Sequence, residues 1–160
     1  MKTYGNALLA VGSKGSLDKV INNDIKTKII ISSGIKQETQ SDGRVKTTFG
    51  ETIQGNKNAA DSYGAKVNDD GTYGIKEATI TIFNGSIEKG VKAGSGSKLE
   101  GLTQTQAIGA VATHENVHAS DKDEINKDLH YAVANPHDKD GRPDKEVKPN
   151  NAEKKVLNKL

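Results

Sequence analysis

The residues best suited to chemistry lie in the run His114-Glu115-Asn116-Val117-His118. If this run is helical, its two histidines lie one turn apart on one face, so both imidazoles can bind the same zinc ion. The glutamate between them can accept a proton from a water molecule on that ion. All four histidines fall between positions 114 and 137, and this clustering also favours a metal site. The spacing therefore predicts His114 and His118 as ligands and Glu115 as a general base.

A hydrolytic zinc site needs a third protein ligand and keeps one position for water. The metzincin pattern does not fit, because Asp121 and Glu124 stand where it has a glycine and its third ligand, and Met1 is the only methionine. Asp121 is still a candidate, either as a ligand or as a residue that orients a histidine. Glu146 and Glu153 are further candidates, around the start of a predicted helix. These residues alone leave the choice of third ligand open.

The chain resembles the gluzincin-like metallopeptidase domains found at the carboxyl ends of bacterial polymorphic toxins, including Rhs-type and type VI secretion effectors. The resemblance depends on residues 112–121 around the histidine motif, on the strand-like residues 78–87, and on an E-x-x-P-x-x-x-E run at 146–153. It implies that Glu146 is the third zinc ligand. It also implies that Glu153 accepts a hydrogen bond from a ligand histidine or caps the last helix.

The same resemblance implies a biological setting. It implies a zinc-dependent toxin or effector that is secreted, or delivered into a target cell by a bacterial secretion system, and a cognate immunity protein that neutralises it. We expect residues 1–160 to form a single metallopeptidase-like domain of the kind found at the end of a larger protein. No amino-terminal signal peptide is evident, because the apolar run at residues 7–11 is shorter than the ~7–15 residue core of such signals.

The predicted reaction is hydrolysis of a peptide bond in a protein or peptide. Glu115 takes a proton from the attacking water and returns it to the leaving amine. A donor besides the metal must stabilise the developing oxyanion, and His130, Tyr131 and His137 are candidates because they are near the motif in sequence. The strand at residues 78–83 is expected to form a sheet edge above the motif helix and to pair with an extended substrate.

Two other functions fit the same residues. In a non-enzymatic secreted or particle-associated binding domain, two histidines and two carboxylates would close a structural zinc site, or zinc would be absent. A hydrolase of a cell-wall peptide or another amide would use the motif unchanged. Zinc binding without hydrolysis of diverse proteins would indicate the binding domain.

The elements that must position the motif give an α+β pattern. Thr103 and Gln106 have the spacing of a capping box, and the small and apolar residues that follow predict a buried helix over 104–119. β-branched residues predict a buried strand over 27–32, and alternation of apolar residues with threonine predicts another over 78–83. We therefore expect a small zincin-like domain whose motif helix packs under a short mixed sheet.

The remaining segments are less regular in pattern. Residues 6–22 predict one short helix or two fragments, and residues 36–74 predict loops or short hairpins. Asn84-Gly85 indicates a turn after the second strand. After the motif helix we expect Asp- and Lys-rich turns, and then a carboxyl-terminal helix from residue 150, capped by Asn150 or Asn151.

Composition excludes several other classes of function. With 160 residues the chain corresponds to one domain. A net charge of +2, with four tyrosines and two phenylalanines, supports neither a basic groove nor stacking platforms for nucleic acid. The absence of cysteine excludes disulfides, thiol catalysis and cysteine-bound zinc. No run approaches the ~20 apolar residues of a membrane span.

Overall fold

The computed structural model describes residues 1–55 and 66–160, and this part of the chain has an α+β fold. Six helices accompany a small mixed sheet and two separate hairpins. In chain order the elements are α1 (Lys2–Ala10), α2 (Lys14–Ile21), β1 (Lys26–Ser32), β2 (Lys36–Thr39), β3 (Val45–Thr48), β4 (Gly50–Gln54), β5 (Lys66–Val67), β6 (Tyr73–Gly74), β7 (Glu77–Phe83), α3 (Asn84–Gly90), α4 (Gln104–Ser120), α5 (Lys122–Ala134) and α6 (Val147–Leu157). The predicted fold class is confirmed.

The main sheet has the strand order β1-β7-β4. The central strand, β7, pairs in parallel with β1 and antiparallel with β4. Ala78, Ile80 and Ile82 of β7 are buried, as the alternation in the sequence predicts. Strands β2 and β3 form one antiparallel hairpin and β5 and β6 another, in agreement with the hairpins predicted for this polar region. Residues 56–65, to which the same prediction applies, lie outside the described residues.

The prediction that residues 78–83 form a sheet edge is wrong, because β7 has a partner on both sides. The edge beside the motif helix is β4 instead. The sequence gives little sign of β4, since Gly50-Glu51-Thr52-Ile53-Gln54 has a single apolar side chain within a long polar region. Its pairing with β7 and its packing on α4 produce a strand where the local pattern predicts a loop or hairpin.

Helix α4 is the central element of the fold and packs against α1, α6, β4 and β7. It begins with the predicted capping box, in which Thr103 Oγ1 accepts from the Gln106 amide at 3.2 Å and Gln106 Oε1 accepts from the Thr103 amide at 2.9 Å. Small residues let its neighbours approach closely. A Cβ atom at Gly109 would lie 2.3 Å from the Ala7 carbonyl oxygen, so glycine is needed where α1 crosses α4.

Helices α1 and α2 are the two fragments that the sequence allowed for residues 6–22, separated at Gly12, whose φ is 69°. The first predicted strand is confirmed as β1, but the prediction that it is buried is wrong, because β1 lies at the edge of the sheet and its residues are half-buried or exposed. The carboxyl-terminal helix begins earlier than predicted, at Val147, with Glu146 rather than an asparagine at the N-cap position. Pro149 lies in its first turn, where the missing amide hydrogen costs no intrahelical bond.

Two further local predictions are wrong. Residues 122–134 form α5 rather than turns, because Asp121 accepts from the Glu124 amide at 3.2 Å as an N-cap, while Ile125 and Leu129 are buried one turn apart. Asn84 begins α3 rather than a turn. Among the described helices, none combines the length and the apolar character needed to cross a membrane.

Candidate metal centre

The two histidines of the motif lie on one face of α4. Because the helix is regular from Gln104 to Ser120, His114 and His118 are one turn apart, and their ring centroids are separated by 5.3 Å. Their side chains are 13% and 14% exposed, so each imidazole is largely buried but reaches the surface of a cleft. This is the juxtaposition that the i, i+4 spacing predicts.

Glu146 brings a carboxylate to the two histidines from the start of α6. Its Oε2 lies 3.0 Å from His114 Nε2 and 3.5 Å from His118 Nε2. The three candidate ligand atoms all lie within 4.8 Å of one another, so these side chains can hold a metal ion. The structure thus brings together the two motif histidines and the downstream glutamate that the sequence resemblance indicates.

The three side chains are electrostatically coupled. Burial opposes the charged form of His114, but the nearby carboxylates of Glu146 and Glu153 outweigh burial and raise the pKa of its imidazole to about 9. Hydrogen bonds from His114 and His118 hold the pKa of Glu146 far below its usual range. Without a metal, the cluster therefore binds a proton that a cation would displace.

Glu153 lies behind His114 rather than in the ligand group. Burial raises the pKa of this carboxyl, but contacts with His114 and Lys98 outweigh burial and lower it. Its Oε2 is 3.4 Å from His114 Nδ1 and 2.6 Å from Lys98 Nζ. The contact does not have the geometry of a hydrogen bond, since His114 Nδ1 is buried without such a partner. The carboxylate nevertheless lies on the Nδ1 side of the ring, the place from which outer carboxylates commonly orient metal-binding histidines.

Glu115 is buried between α4 and β4. Its Oε2 accepts a hydrogen bond of 2.8 Å from Thr52 Oγ1. Burial raises the pKa of its carboxyl, and the two imidazoles and Thr52 oppose that rise. At Gly50 a Cβ atom would lie 2.8 Å from Glu115 Oε1, so the strand can pass this close only with glycine there. A carboxyl in such surroundings can both accept and release a proton.

The histidines, Glu115 and Glu146 line a cleft with a volume of about 720 Å³. Strands β3 and β4 contribute residues 46–54 to it, and residues 138–142 and 145–146 contribute another part of the lining. Asn150, one helical turn after Glu146, also lines it. The cleft therefore brings a sheet edge, the motif helix and the ligand of α6 together.

Among the described residues, β4 has no strand partner on the side away from β7, and this side is called here its free edge. The Phe83 amide donates to the Phe49 carbonyl and the Gly55 amide donates to the Glu77 carbonyl, both at 2.8 Å. Because hydrogen-bonded pairs alternate along antiparallel strands, the intervening odd-numbered residues of β4 also bond to β7. The amides and carbonyls of residues 50, 52 and 54 consequently point to the free edge.

Asp121, the alternative ligand, lies apart from the ligand group. Its carboxylate is 2.7 Å from Lys148 Nζ and caps α5. Burial raises the pKa of Asp121, but its hydrogen bonds to Lys148 and to the Glu124 amide outweigh burial and lower it. The chain turns at Asp121 from α4 into α5, and this change of direction takes the carboxylate off the histidine face.

The three candidate oxyanion stabilisers do not line the cleft. The His130 ring packs edge-on against Tyr73, with centroids 4.8 Å apart. The Tyr131 hydroxyl donates to Asp138 Oδ2 at 2.7 Å, and His137 is exposed. These residues were candidates because they are near the motif in sequence, but α5 directs His130 and Tyr131 to other surfaces, and His137 lies in the turns after that helix. The structure therefore gives them no contact with the proposed site.

Asn116, the polar residue inside the motif, anchors the back of α4. It is buried, and its Oδ1 accepts a hydrogen bond from the Tyr4 hydroxyl. Its Nδ2 donates to Ser16 Oγ at 2.7 Å. These bonds tie α4 to α1 and α2 on the side away from the cleft and thereby fix the rotation of the histidine face.

Other residues at the site have no signal in the sequence. Thr52, Lys98 and Gln54 are each far along the chain from the groups they contact. Gln54 Nε2 donates to the His118 carbonyl at 3.0 Å and to Asp128 Oδ2 at 3.2 Å. The pairing of β4 with β7 brings Thr52 and Gln54 to α4, and Lys98 reaches Glu153 of α6 from the segment before α4, so no local pattern marks them.

Comparisons of the chain with family models, with curated proteins and with solved structures gave no match. The likeness of the sequence to toxin metallopeptidase domains therefore stays a prediction. What supports a function for this chain is the arrangement of its own side chains around the cleft.

Proposed function

We propose that this chain is a zinc-dependent peptidase. The observation that carries the proposal is the convergence of His114, His118 and Glu146 within 4.8 Å, at a cleft that the buried Glu115 carboxylate also lines. Helix α4 supplies two metal-binding histidines and the proton acceptor, the start of α6 supplies the carboxylate ligand, and β4 supplies a strand edge. The sequence resemblance to gluzincin-like domains agrees with this combination.

Zinc suits the ligand group better than the other common divalent cations. Two imidazoles and one carboxylate are a typical ligand set of catalytic zinc, whereas Mg²⁺ and Ca²⁺ prefer sites made of oxygen ligands. His114 and His118 would bind through Nε2, and Glu146 through Oε2. A zinc ion held in this way supplies Lewis acidity and lowers the pKa of a bound water towards ~7.

The protein's own residues account for the proton transfers and the placement of substrate. Glu115 accepts a proton as the water attacks the peptide carbonyl and returns it to the leaving nitrogen. Thr52 donates to Glu115 Oε2 and so fixes the orientation of the base. The free amides and carbonyls at residues 50, 52 and 54 pair with an extended peptide, which places its backbone along the cleft.

The competing non-enzymatic function is less well supported. A structural zinc site is closed by four protein ligands. Among the described residues, the group that can hold a metal has three members, and Glu153 faces Nδ1 of His114 rather than joining them. A site with three ligands on an open cleft keeps a position for water, which favours catalysis over a closed structural site.

We further propose that the peptidase acts as a bacterial toxin or effector, secreted or delivered into a target cell and neutralised by a cognate immunity protein. Support for this setting comes from the sequence resemblance alone. Expression of the chain within susceptible bacteria should arrest growth, and Glu115→Gln should abolish the arrest. Growth that is unaffected by the active enzyme in every compartment tested would contradict the toxin role but leave the peptidase in place.

The decisive variant for the peptidase is Glu115→Gln, which keeps the size of the side chain but removes the proton acceptor. We expect it to bind one equivalent of zinc, as the parent does, and to hydrolyse peptides roughly 10²- to 10⁴-fold more slowly. His118→Ala should lose both zinc and activity. Elemental analysis and a peptide-library cleavage assay on the same preparations measure the two properties.

His137→Gln is the matched control for the histidine variant, because His137 is exposed and does not line the cleft. It should keep parental zinc content and activity. If Glu115→Gln cleaves at the parental rate, the general-base assignment is wrong. One equivalent of zinc without hydrolysis across diverse peptides would instead establish the binding domain.

A further inference from the structure

The ligand Glu146 stands at the end of a segment without helix or strand. Residues 135–146, called here the connecting segment, join α5 to α6 through turns and bends. Glu146 itself is 48% exposed, so burial of its side chain does not fix its position. The packing of α6 on α4 holds the chain after Glu146, and contacts of the connecting segment must hold the chain before it for the carboxylate to stay at the two histidines.

Arg142 anchors the connecting segment to α5. Its side chain is only 9% exposed and contacts three carboxylates. Nη2 lies 2.5 Å from Glu124 Oε2, Nε lies 2.8 Å from Asp128 Oδ1, and Nη1 lies 2.7 Å from Asp144 Oδ1. A planar guanidinium can satisfy several acceptors at fixed angles, which a lysine ammonium cannot. The contacts therefore fix both the position and the orientation of this side chain.

The partners of Arg142 belong to a rigid part of the molecule. Glu124 and Asp128 are one turn apart on α5, and the same helix buries Ile125 and Leu129 in the core. Two of the three ion pairs thus connect the irregular segment to a packed helix. The third, to Asp144, lies within the connecting segment and stiffens its last turn before Glu146.

The contact with Asp128 also reaches the motif helix and the edge strand. Asp128 Oδ2 accepts from Gln54 Nε2, which also donates to the carbonyl of the ligand His118. A continuous set of hydrogen bonds therefore runs from β4, past His118, to Arg142. It links the part of α4 that carries one ligand to the segment that carries another.

We propose that Arg142 is a positioning residue for the metal ligand Glu146. It acts through the connecting segment, four residues before the ligand, and it sets the distance between the carboxylate of Glu146 and the two imidazoles. The inference rests on the proposed metal site and adds to it a group whose ion pairs are with Glu124, Asp128 and Asp144 rather than with the metal ligands, although its side chain also lines the cleft.

The test is the zinc affinity of Arg142→Gln, measured by competition with a chelator. We expect zinc to bind roughly 10- to 100-fold more weakly than to the parent, the range typical of groups that orient metal ligands. Arg44→Gln is the matched control, because Arg44 is 85% exposed and its ion pair in the described part of the chain is with the nearby Asp42. It should bind zinc as the parent does.

A double-mutant cycle distinguishes positioning from a general effect on folding. If Arg142 acts through Glu146, then Arg142→Gln should cause no further loss of affinity in a Glu146→Gln background. Arg142→Gln removes a buried cation and can therefore also lower the stability of the fold. Asp128→Asn is a milder variant, because the asparagine oxygen can still accept a hydrogen bond from Arg142 Nε. It should reduce zinc affinity less than Arg142→Gln does, and the reduction should again vanish in the Glu146→Gln background.

Two results would overturn the inference and leave the proposed function standing. One is parental zinc affinity in both Arg142→Gln and Asp128→Asn. The other is an equal loss of affinity with and without Glu146, which would show that Arg142 acts on the fold as a whole. Failure of the parent protein itself to bind zinc would be a different outcome, because it would remove the metal site and the inference with it.

Discussion

His114 faces a carboxylate at each ring nitrogen, with Glu146 at Nε2 and Glu153 at Nδ1. The two carboxylates differ in surroundings, since the side chain of Glu146 is 48% exposed and that of Glu153 is 4% exposed and paired with Lys98. The exposed one can exchange its contact with an imidazole for a contact with a metal. The buried one is placed to keep the ring in a fixed orientation while that exchange occurs.

Glu153→Gln tests this division of roles. The amide keeps the shape of the side chain but loses the charge that orients His114, so zinc affinity should fall by roughly 10- to 100-fold. Isothermal titration or chelator competition measures the change. Glu38→Gln, on the exposed strand β2, is the control and should leave zinc affinity as it is. Parental affinity in Glu153→Gln would show that Glu153 serves only to pair with Lys98.

The raised pKa of His114 predicts how stability of the metal-free protein depends on pH. The pKa is about 9 in the folded protein, against an ordinary value near 6.5. Its contribution to stability is therefore complete below about pH 6.5 and is lost as the pH rises through about 9. Thermal unfolding in the presence of a chelator should show a falling midpoint across this range.

The midpoint of thermal unfolding of His114→Gln should fall less over the same pH range, because glutamine has no imidazole that can lose a proton. His137→Gln should follow the parent, since that histidine is exposed. If the parent and His114→Gln lose stability in parallel, the two carboxylates do not stabilise a protonated His114 in solution.

Among the elements, α4 was predictable and β4 was not. The capping box, the run of small residues and the i, i+4 histidines are all local signals, and they place α4 to within a residue. By contrast, β4 forms because β7 and α4 offer it partners, and its own residues show no strand pattern. Helix α5 was missed for a related reason, because its Asp- and Lys-rich exposed face conceals two buried apolar positions, Ile125 and Leu129.

Gly50 is where β4 and the motif helix constrain each other most closely. A Cβ atom there would lie 2.7 Å from Val111 Cγ1 and 2.8 Å from Glu115 Oε1. Gly50→Ala should therefore displace the strand or the base while leaving the zinc ligands in place. We expect kcat/KM to fall by roughly 100-fold with zinc content unchanged, the scale of a small misplacement of reacting groups.

Gly15→Ala is the matched control for Gly50→Ala, because a Cβ atom at Gly15 meets nothing within 4 Å and α2 is an ordinary helix there. It should retain parental activity. Parental kcat/KM in Gly50→Ala would mean that the close approach of β4 to Glu115 has no part in catalysis.

At the scale of the whole molecule, three separate parts of the chain meet at one cleft. Helix α4 contributes the two histidines and Glu115, α6 begins with Glu146, and β4 contributes a free edge. The spacing of the motif predicted the two histidines and Glu115, and the sequence resemblance predicted Glu146. Neither prediction requires knowledge of the sheet. The free edge of β4 and the roles of Lys98 and Arg142 depend on contacts between segments that are distant along the chain. A single sequence does not reveal such contacts.

The most direct test of the metal centre is anomalous diffraction at the zinc edge from crystals grown with one equivalent of zinc. We predict one strong peak between His114 Nε2, His118 Nε2 and Glu146 Oε2, with a further ligand from solvent on the cleft side. No peak at these side chains, or a zinc ion closed off by a fourth protein ligand, would contradict it.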